Sequence, residues 1–216
     1  MTIQRKAFAE FSGTAILTAT VVGSGIMAQK LSGGNLGLAL LCNAIATGAI
    51  LNVLIELLSP ISGAQFNPVV SLWLTLGNEQ TASQSIVFSI SQIAGGITGC
   101  MLTNAMFDLS LMQISTAARG GAGQWLAEIV ATFCLVLIIA GLAKNKPSAI
   151  PNAVALYITA AYFFTSSTSF ANPAVTIARM FSNTFAGISP LSVLPFILAQ
   201  LAGMVLAWRV GRYLFA

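Results

Sequence analysis

Six apolar stretches, at about 8–28, 36–58, 84–106, 125–143, 149–166 and 190–210, divide this chain and restrict what it can fold into. Each is close to the ~20 apolar residues that a helix needs to cross the hydrocarbon of a bilayer. Hydrocarbon offers no hydrogen bonds to the backbone, so such stretches are expected to be helices. The rest of the chain cannot build a soluble surface. Charged residues make up 6% of the 216 and hydrophobic residues 56%, where a soluble domain carries about 25% charged residues. The first stretch is too long for a signal-peptide core and lacks a clear small-residue cleavage site, so it reads as the first span. A single membrane domain over residues 1–216 is expected, with the lipid bilayer as its main surroundings.

Two shorter apolar stretches remain, 67–76 and 172–181. Each opens on Asn-Pro and ends at a breaker, Gly77-Asn78 or Ser182-Asn183. A helix of about ten residues is ~15 Å long, half the hydrocarbon thickness, so neither can span. Proline at the first helical position, with asparagine just before it, is a good helix start. Both stretches are predicted to be half-helices that enter the membrane and stop near its midplane.

The chain also repeats itself. Ala9-Glu10-Phe11-Ser12-Gly13-Thr14 matches Ala127-Glu128-Ile129-Val130-Ala131-Thr132. Asn67-Pro68-Val69-Val70-Ser71-Leu72 matches Asn172-Pro173-Ala174-Val175-Thr176-Ile177, and Gln92-Ile93-Ala94-Gly95 matches Gln200-Leu201-Ala202-Gly203. The order is the same in both halves, giving repeats over about 5–107 and 122–214. Each half carries three spans and one half-helix. Three is odd, so the second copy must be inverted in the membrane. Inverted repeats bring their paired functional segments together at the midplane. The predicted fold is therefore an all-α membrane protein of six transmembrane helices and two reentrant half-helices in two inverted repeats. Starting the odd-numbered spans inside puts Arg5, Lys6, Lys144, Lys146, Arg209 and Arg212 in the cytoplasm and leaves Lys30, Arg119 and Arg179 outside. That bias predicts cytoplasmic termini.

Two Asn-Pro starts entering from opposite faces point their helix N-termini at each other, each with about half a positive charge. Cations are repelled from such a point. The side-chain amides of Asn67 and Asn172 would offer N–H donors there, while their oxygens cap their own helices. Other chemistries are poorly served. The chain contains no histidine, and no nucleophile–base pair, phosphate loop or metal cluster is legible, so no enzyme activity, cofactor, metal or nucleic-acid partner is expected. Cys42, Cys100 and Cys134 lie far apart in apolar segments and read as buried packing residues. Small residues such as Gly23, Gly95, Gly99 and Gly203 read as helix-contact positions.

Ala9-Glu10-Phe11 with Gly13-Thr14, Ser62-Gly63-Ala64-Gln65-Phe66-Asn67-Pro68-Val69-Val70-Ser71 and Phe170-Ala171-Asn172-Pro173-Ala174 together resemble the aquaporin and glycerol-facilitator (major intrinsic protein) family over nearly the whole chain. The resemblance implies a pore centre at Asn67, Pro68, Val69, Asn172, Pro173 and Ala174. It implies that Glu10 and Glu128 support the reentrant loops by accepting backbone hydrogen bonds. It also implies a homotetramer with one pore in each protomer. The run from Asn172 to Arg179, with Ser182-Asn183-Thr184-Phe185-Ala186-Gly187, is similar to the bacterial branch associated with arsenic resistance, which implies the bacterial inner (cell) membrane.

Three departures from the family pattern stand out. Gln65 stands where the family has histidine, and Val69 where the first motif has alanine. Glu56 lies late in the second span, facing either the cytoplasmic vestibule or the membrane interface. The selectivity arginine that directly follows the second motif in the family is Val175 here. Ungapped family spacing assigns the outer selectivity filter to Thr47, Ala160, Ser169 and Val175, twenty before Asn67, twelve before Asn172, three before Asn172 and three after it. All four are small and uncharged. Arg179, seven residues after Asn172, is expected beyond the constriction, in a surface or vestibule role rather than as a substitute.

A wide filter without its arginine predicts a passive channel for small uncharged solutes: glycerol, urea, metalloid hydroxides such as arsenite, methylated arsenicals and water. A water-selective pore is the alternative. A coupled secondary transporter also uses inverted repeats and broken helices, but only the repeated glutamates and Glu56 supply ionisable groups within the spans.

Overall fold

The computed structural model describes residues 1–215. Among these, eight α-helices follow one another: α1 (Ile3–Leu31), α2 (Leu36–Ser62), α3 (Pro68–Leu76), α4 (Ala82–Met106), α5 (Ala122–Ala143), α6 (Ile150–Phe164), α7 (Pro173–Arg179) and α8 (Pro190–Phe215). Five of them (α1, α2, α4, α5 and α8) are long and apolar enough to cross a membrane. The fifth span, α6, is shorter than its sequence suggests. The 15 residues of α6 reach only ~22 Å at 1.5 Å per residue, after one 3-10 turn at Pro147–Ala149 and before a turn and loop that lead to Asn172.

Several long helices overrun their apolar stretches because polar residues cap them. The Thr2, Asn35 and Thr81 side chains accept hydrogen bonds from the backbone N–H groups of Arg5, Leu38 and Gln84. Each satisfies one of the donors that a helix start leaves open. The half-helices α3 and α7 start at Pro68 and Pro173, with asparagine as N-cap in both. The α7 helix stops at Arg179 and so is shorter than the apolar stretch 172–181.

Outward faces are apolar: Leu57, Ile90, Leu126, Leu156 and Leu191 are all exposed. The interior is polar by comparison, with Glu10, Glu128, Gln92, Gln200 and Asn104 fully buried. This reverses the soluble pattern and suits a chain whose solvent is lipid. Cys100 is buried and Cys134 half-buried, but Cys42 is exposed, which corrects the expectation of three buried thiols. Glu56 is also exposed and does not line the central cavity, so the vestibule alternative does not hold.

Helix α1 packs on α4, and α5 packs on α8 in the same manner. Glycines make both contacts possible. A Cβ added at Gly95 would collide with the backbone carbonyl of Phe11, and one at Gly99 with that of Ala15. Gly203, the repeat counterpart of Gly95, faces the carbonyl of Ile129 in the same way. Backbone atoms cannot swing aside as a side-chain tip can. Gly95→Val is therefore expected to push α1 and α4 apart at a cost of about 1–3 kcal/mol. The melting midpoint of the detergent-solubilised protein should fall by about 2–4 °C for each kcal/mol. An unchanged midpoint would contradict this packing.

Candidate functional site

Two short loops lead into the half-helices, and their backbones take conformations that L-residues avoid. Ala64 and Phe66 have φ of 50°, while Thr168, Ser169 and Ala171 have φ of 62°, 51° and 46°. Left-handed geometry costs a non-glycine residue roughly 1–2 kcal/mol. It persists here because buried carboxylates fix the loops. Glu10 of α1 accepts from the N–H groups of Gln65 (3.0 Å) and Phe66 (2.6 Å), from Ser62 Oγ (2.6 Å) and from Gln92 Nε2 of α4 (2.8 Å). Glu128 of α5 accepts from the N–H groups of Phe170 and Ala171, both at 2.9 Å, and from Gln200 Nε2 of α8 (2.6 Å). Each glutamine also donates to a half-helix hydroxyl, Gln92 to Ser71 Oγ (3.1 Å) and Gln200 to Thr176 Oγ1 (3.0 Å). Buried N–H groups need acceptors, and a carboxylate supplies several at one point. The two glutamines had a sequence signal, since both belong to a repeated Gln-x-Ala-Gly, but that repeat reads as packing until the glutamates are seen beside it.

The loops meet through the asparagines. Asn67 Nδ2 donates to the carbonyl oxygen of Ala171, and Asn172 Nδ2 to that of Phe66, both at 2.8 Å. Asn67 Oδ1 accepts from Val69 N (3.1 Å), and Asn172 Oδ1 accepts from Ala174 N (3.0 Å) and Val175 N (3.3 Å). Each amide thus caps its own half-helix and ties it to the opposite loop. An amide nitrogen carries two hydrogens, so one N–H per asparagine is free for another acceptor. Both asparagines line the central cavity. Pro68, Val69, Pro173 and Ala174 do not; they stand behind the asparagines. Val69 packs with Trp73, Val136 and Met204, so its departure from alanine alters core packing and leaves the lining unchanged.

The cavity measures about 350 Å³. It runs along the antiparallel pair α2 and α6, from Thr47 and Tyr162 at one end to Ser59, Pro147 and Glu79 at the other. One side of the wall is apolar, with Leu17, Val21, Leu51, Leu135, Val154 and Ile158. The opposite side carries Gln65, Asn67, Ser169 and Asn172. Ser169 Oγ is buried without a protein hydrogen-bond partner among the described residues.

Thr47, Ser169 and Val175 all line this cavity, but Ala160 does not. Ala160 is on the exposed face of α6, one turn from the exposed Leu156. The polar residue that α6 brings to the lumen, beyond the apolar Val154 and Ile158, is Tyr162, whose hydroxyl lies 3.1 Å from Thr47 Oγ1. The physical reason is the early end of α6 at Phe164, which shifts the register between span and motif. A signal was available, because a tyrosine in a membrane span needs a partner for its hydroxyl and an alanine does not. Three of the four residues expected for the filter thus share the cavity wall, with Tyr162 rather than Ala160 beside them. Of the two roles expected for Arg179, the surface one does not hold and the vestibule one does. It is only 3% exposed and lines the cavity, with its guanidinium 3.5 Å from the centre of the Phe170 ring.

The geometry agrees with what the chain is similar to. The major intrinsic protein family matches residues 1–166. Aquaglyceroporin AqpS of Rhizobium meliloti (strain 1021) is 50% identical over 213 residues, covering 98% of this chain and 91% of that protein. Aquaporin AqpM of Methanothermobacter marburgensis is 26% identical over 243 residues, covering 99% and 98%. The crystal structure of the aquaglyceroporin from Plasmodium falciparum superposes with a TM-score of 0.73 at 16% identity, covering 99% of this chain and 98% of the other. The chain therefore belongs to the major intrinsic protein family, as a multi-pass membrane channel for small solutes and not an enzyme.

Proposed function

We propose that the cavity is a passive pathway for small uncharged solutes larger than water: glycerol, metalloid hydroxides such as arsenite, and methylated arsenicals, with water passing as well. The observation that carries this reading is Val175. An apolar side chain lines the lumen at the position directly after the second Asn-Pro motif, where the resembling family has its selectivity arginine. A valine neither occupies the lumen as a guanidinium would nor binds a solute oxygen. Thr47 and Tyr162 bring hydroxyls to the same wall. A polyol can turn its oxygens to the asparagine side and its carbons to the leucine and valine wall. Ions are refused at the centre, where the N-termini of α3 and α7 carry partial positive charge. Glu10 and Glu128 hold the loops in place, a role supported by the backbone hydrogen bonds they accept.

The same reading puts both termini in the cytoplasm, supported by six of the nine Lys and Arg residues. It places the protein in a bacterial inner membrane as a homotetramer. A water-selective pore is the second reading, favoured by the Thr47–Tyr162 hydroxyl pair at one end of the cavity. Arsenite uptake by cells lacking other arsenite channels tests the proposal. Expression should raise uptake in proportion to external arsenite, with no effect of a protonophore. Uptake equal to that of empty cells would sink the broad-solute reading, and uptake abolished by the protonophore would favour a coupled transporter.

Asn172→Asp tests the pore centre. The variant removes the donor to the Phe66 carbonyl and faces it with a second acceptor. Glycerol permeability of proteoliposomes is expected to fall about tenfold, for a barrier raised by about 1.4 kcal/mol. Unchanged permeability and ion tightness would count against a pathway past Asn172.

A further inference from the structure

We infer that Arg179 is a specificity-determining residue of the outer mouth: a guanidinium one helical turn beyond Val175 that donates to the oxygens of neutral solutes and turns back cations. The inference rests on reading the cavity as a solute pathway.

Arg179 closes α7. It lies four residues after Val175, close to the 3.6 of one turn, and both side chains line the cavity. Its Nε donates to the carbonyl oxygen of Ala186. Its guanidinium carbon sits 3.5 Å from the centre of the Phe170 ring. Among the described residues, its two terminal nitrogens have no hydrogen-bond partner, and neither is sealed from the lumen. A guanidinium has five N–H donors, so four remain for whatever occupies the cavity. A buried donor without a partner is costly, and a solute hydroxyl or a water satisfies it at no structural expense.

The charge is also held firmly in place. The carbonyls that end α7 favour a cation in its last turn. Arg119 lies 5.0 Å from the centre of the same Phe170 ring and is tied to the carbonyls of Gly187 and Phe185. The nearby Glu128 carboxylate is already taken up by the N–H groups of Phe170 and Ala171. Two guanidiniums therefore flank the Phe170 ring, and Arg179 is the one that lines the lumen. Setting the cation at position 179 rather than 175 separates two tasks. The lumen stays open beside Val175, while the mouth keeps its positive charge and its donors.

The test compares Arg179→Gln and Arg179→Lys with wild type in proteoliposomes, reading sodium leak with a potential-sensitive dye and glycerol permeability by light scattering. Arg179→Gln should raise the sodium leak about tenfold or more relative to the glycerol flux of the same vesicles. Arg179→Lys should restore tightness, because it returns the charge without the Phe170 stack or the planar fork. A purely structural role gives the opposite pattern, with Lys failing as badly as Gln. Sodium tightness in Arg179→Gln, or equal leak in both variants, would overturn the inference. Should neither variant fold, wild-type protein answers through methylglyoxal, a small neutral dicarbonyl. Peptide mass spectrometry should find an adduct on Arg179 whose formation glycerol slows. Adducts on the exposed Arg5, Arg209 and Arg212 with none on Arg179 would overturn it. Absence of glycerol flux in wild type would instead strike the channel reading, so the two failures are separable.

Discussion

Val175→Arg is expected to lower glycerol permeability about tenfold or more while changing water permeability by no more than about threefold. Val175 is 5% exposed and shares the lumen wall with Thr47, Tyr162 and Ser169. A guanidinium on a three-carbon stem would fill the space between them. It would also stand one turn from Arg179, and like charges at that spacing repel, which drives the new side chain toward the lumen rather than along the helix. Water needs little room and makes good use of donors, so it continues to pass. Stopped-flow light scattering on proteoliposomes reads both permeabilities in one preparation. An unchanged ratio of glycerol to water permeability would place the constriction elsewhere.

Glu128→Ala is expected to abolish the folded channel. The carboxylate is fully buried and accepts from Phe170 N, Ala171 N and Gln200 Nε2. Removing it leaves three donors without acceptors, at about 1–3 kcal/mol each. The sum is comparable with the 5–15 kcal/mol that separates a typical folded domain from its unfolded state. The loop bearing left-handed Ser169 and Ala171 would lose what holds it, and with it the alignment of Asn172 on the Phe66 carbonyl. Glu128→Gln should be only slightly milder, because one of its two terminal atoms becomes a donor aimed at donors. Size-exclusion profiles after graded heating should show the loss of the folded peak, and proteoliposomes should lose solute flux. A Glu128→Ala protein as heat-stable and permeable as wild type would refute the supporting role.

The sequence carried the architecture because membrane helices announce themselves by length and apolarity. The half-helices were equally legible, since asparagine before proline is a helix start whose mechanism is local. The glutamates stand out through the repeat, and their role as acceptors for the loop backbone is what the family resemblance implies. Tyr162 was missed for a tertiary reason. Seven residues, 165–171, separate α6 from the cap of α7, and ungapped family spacing does not follow a loop that turns through left-handed Thr168, Ser169 and Ala171. Both faces of α6 are also apolar, one toward lipid and one toward the lumen, so periodicity alone does not separate Ala160 from Tyr162. The sequence leaves Arg179 between surface and vestibule because its position depends on the Phe170 ring and the Ala186 carbonyl, contacts across loops that no local pattern encodes. Cys42 and Glu56 show the same ambiguity, since an apolar neighbourhood in sequence does not say which side of a helix meets lipid.

The most direct test of the central claim is osmotic reswelling of proteoliposomes containing the wild-type protein. Vesicles are mixed with a hyperosmotic glycerol gradient and followed by light scattering. A pathway for neutral solutes larger than water predicts rapid shrinkage followed by reswelling, faster than in protein-free vesicles, with an initial glycerol flux that rises linearly with concentration. Rapid shrinkage with reswelling no faster than in protein-free vesicles would mean that the pore passes water and rejects glycerol, contradicting the account.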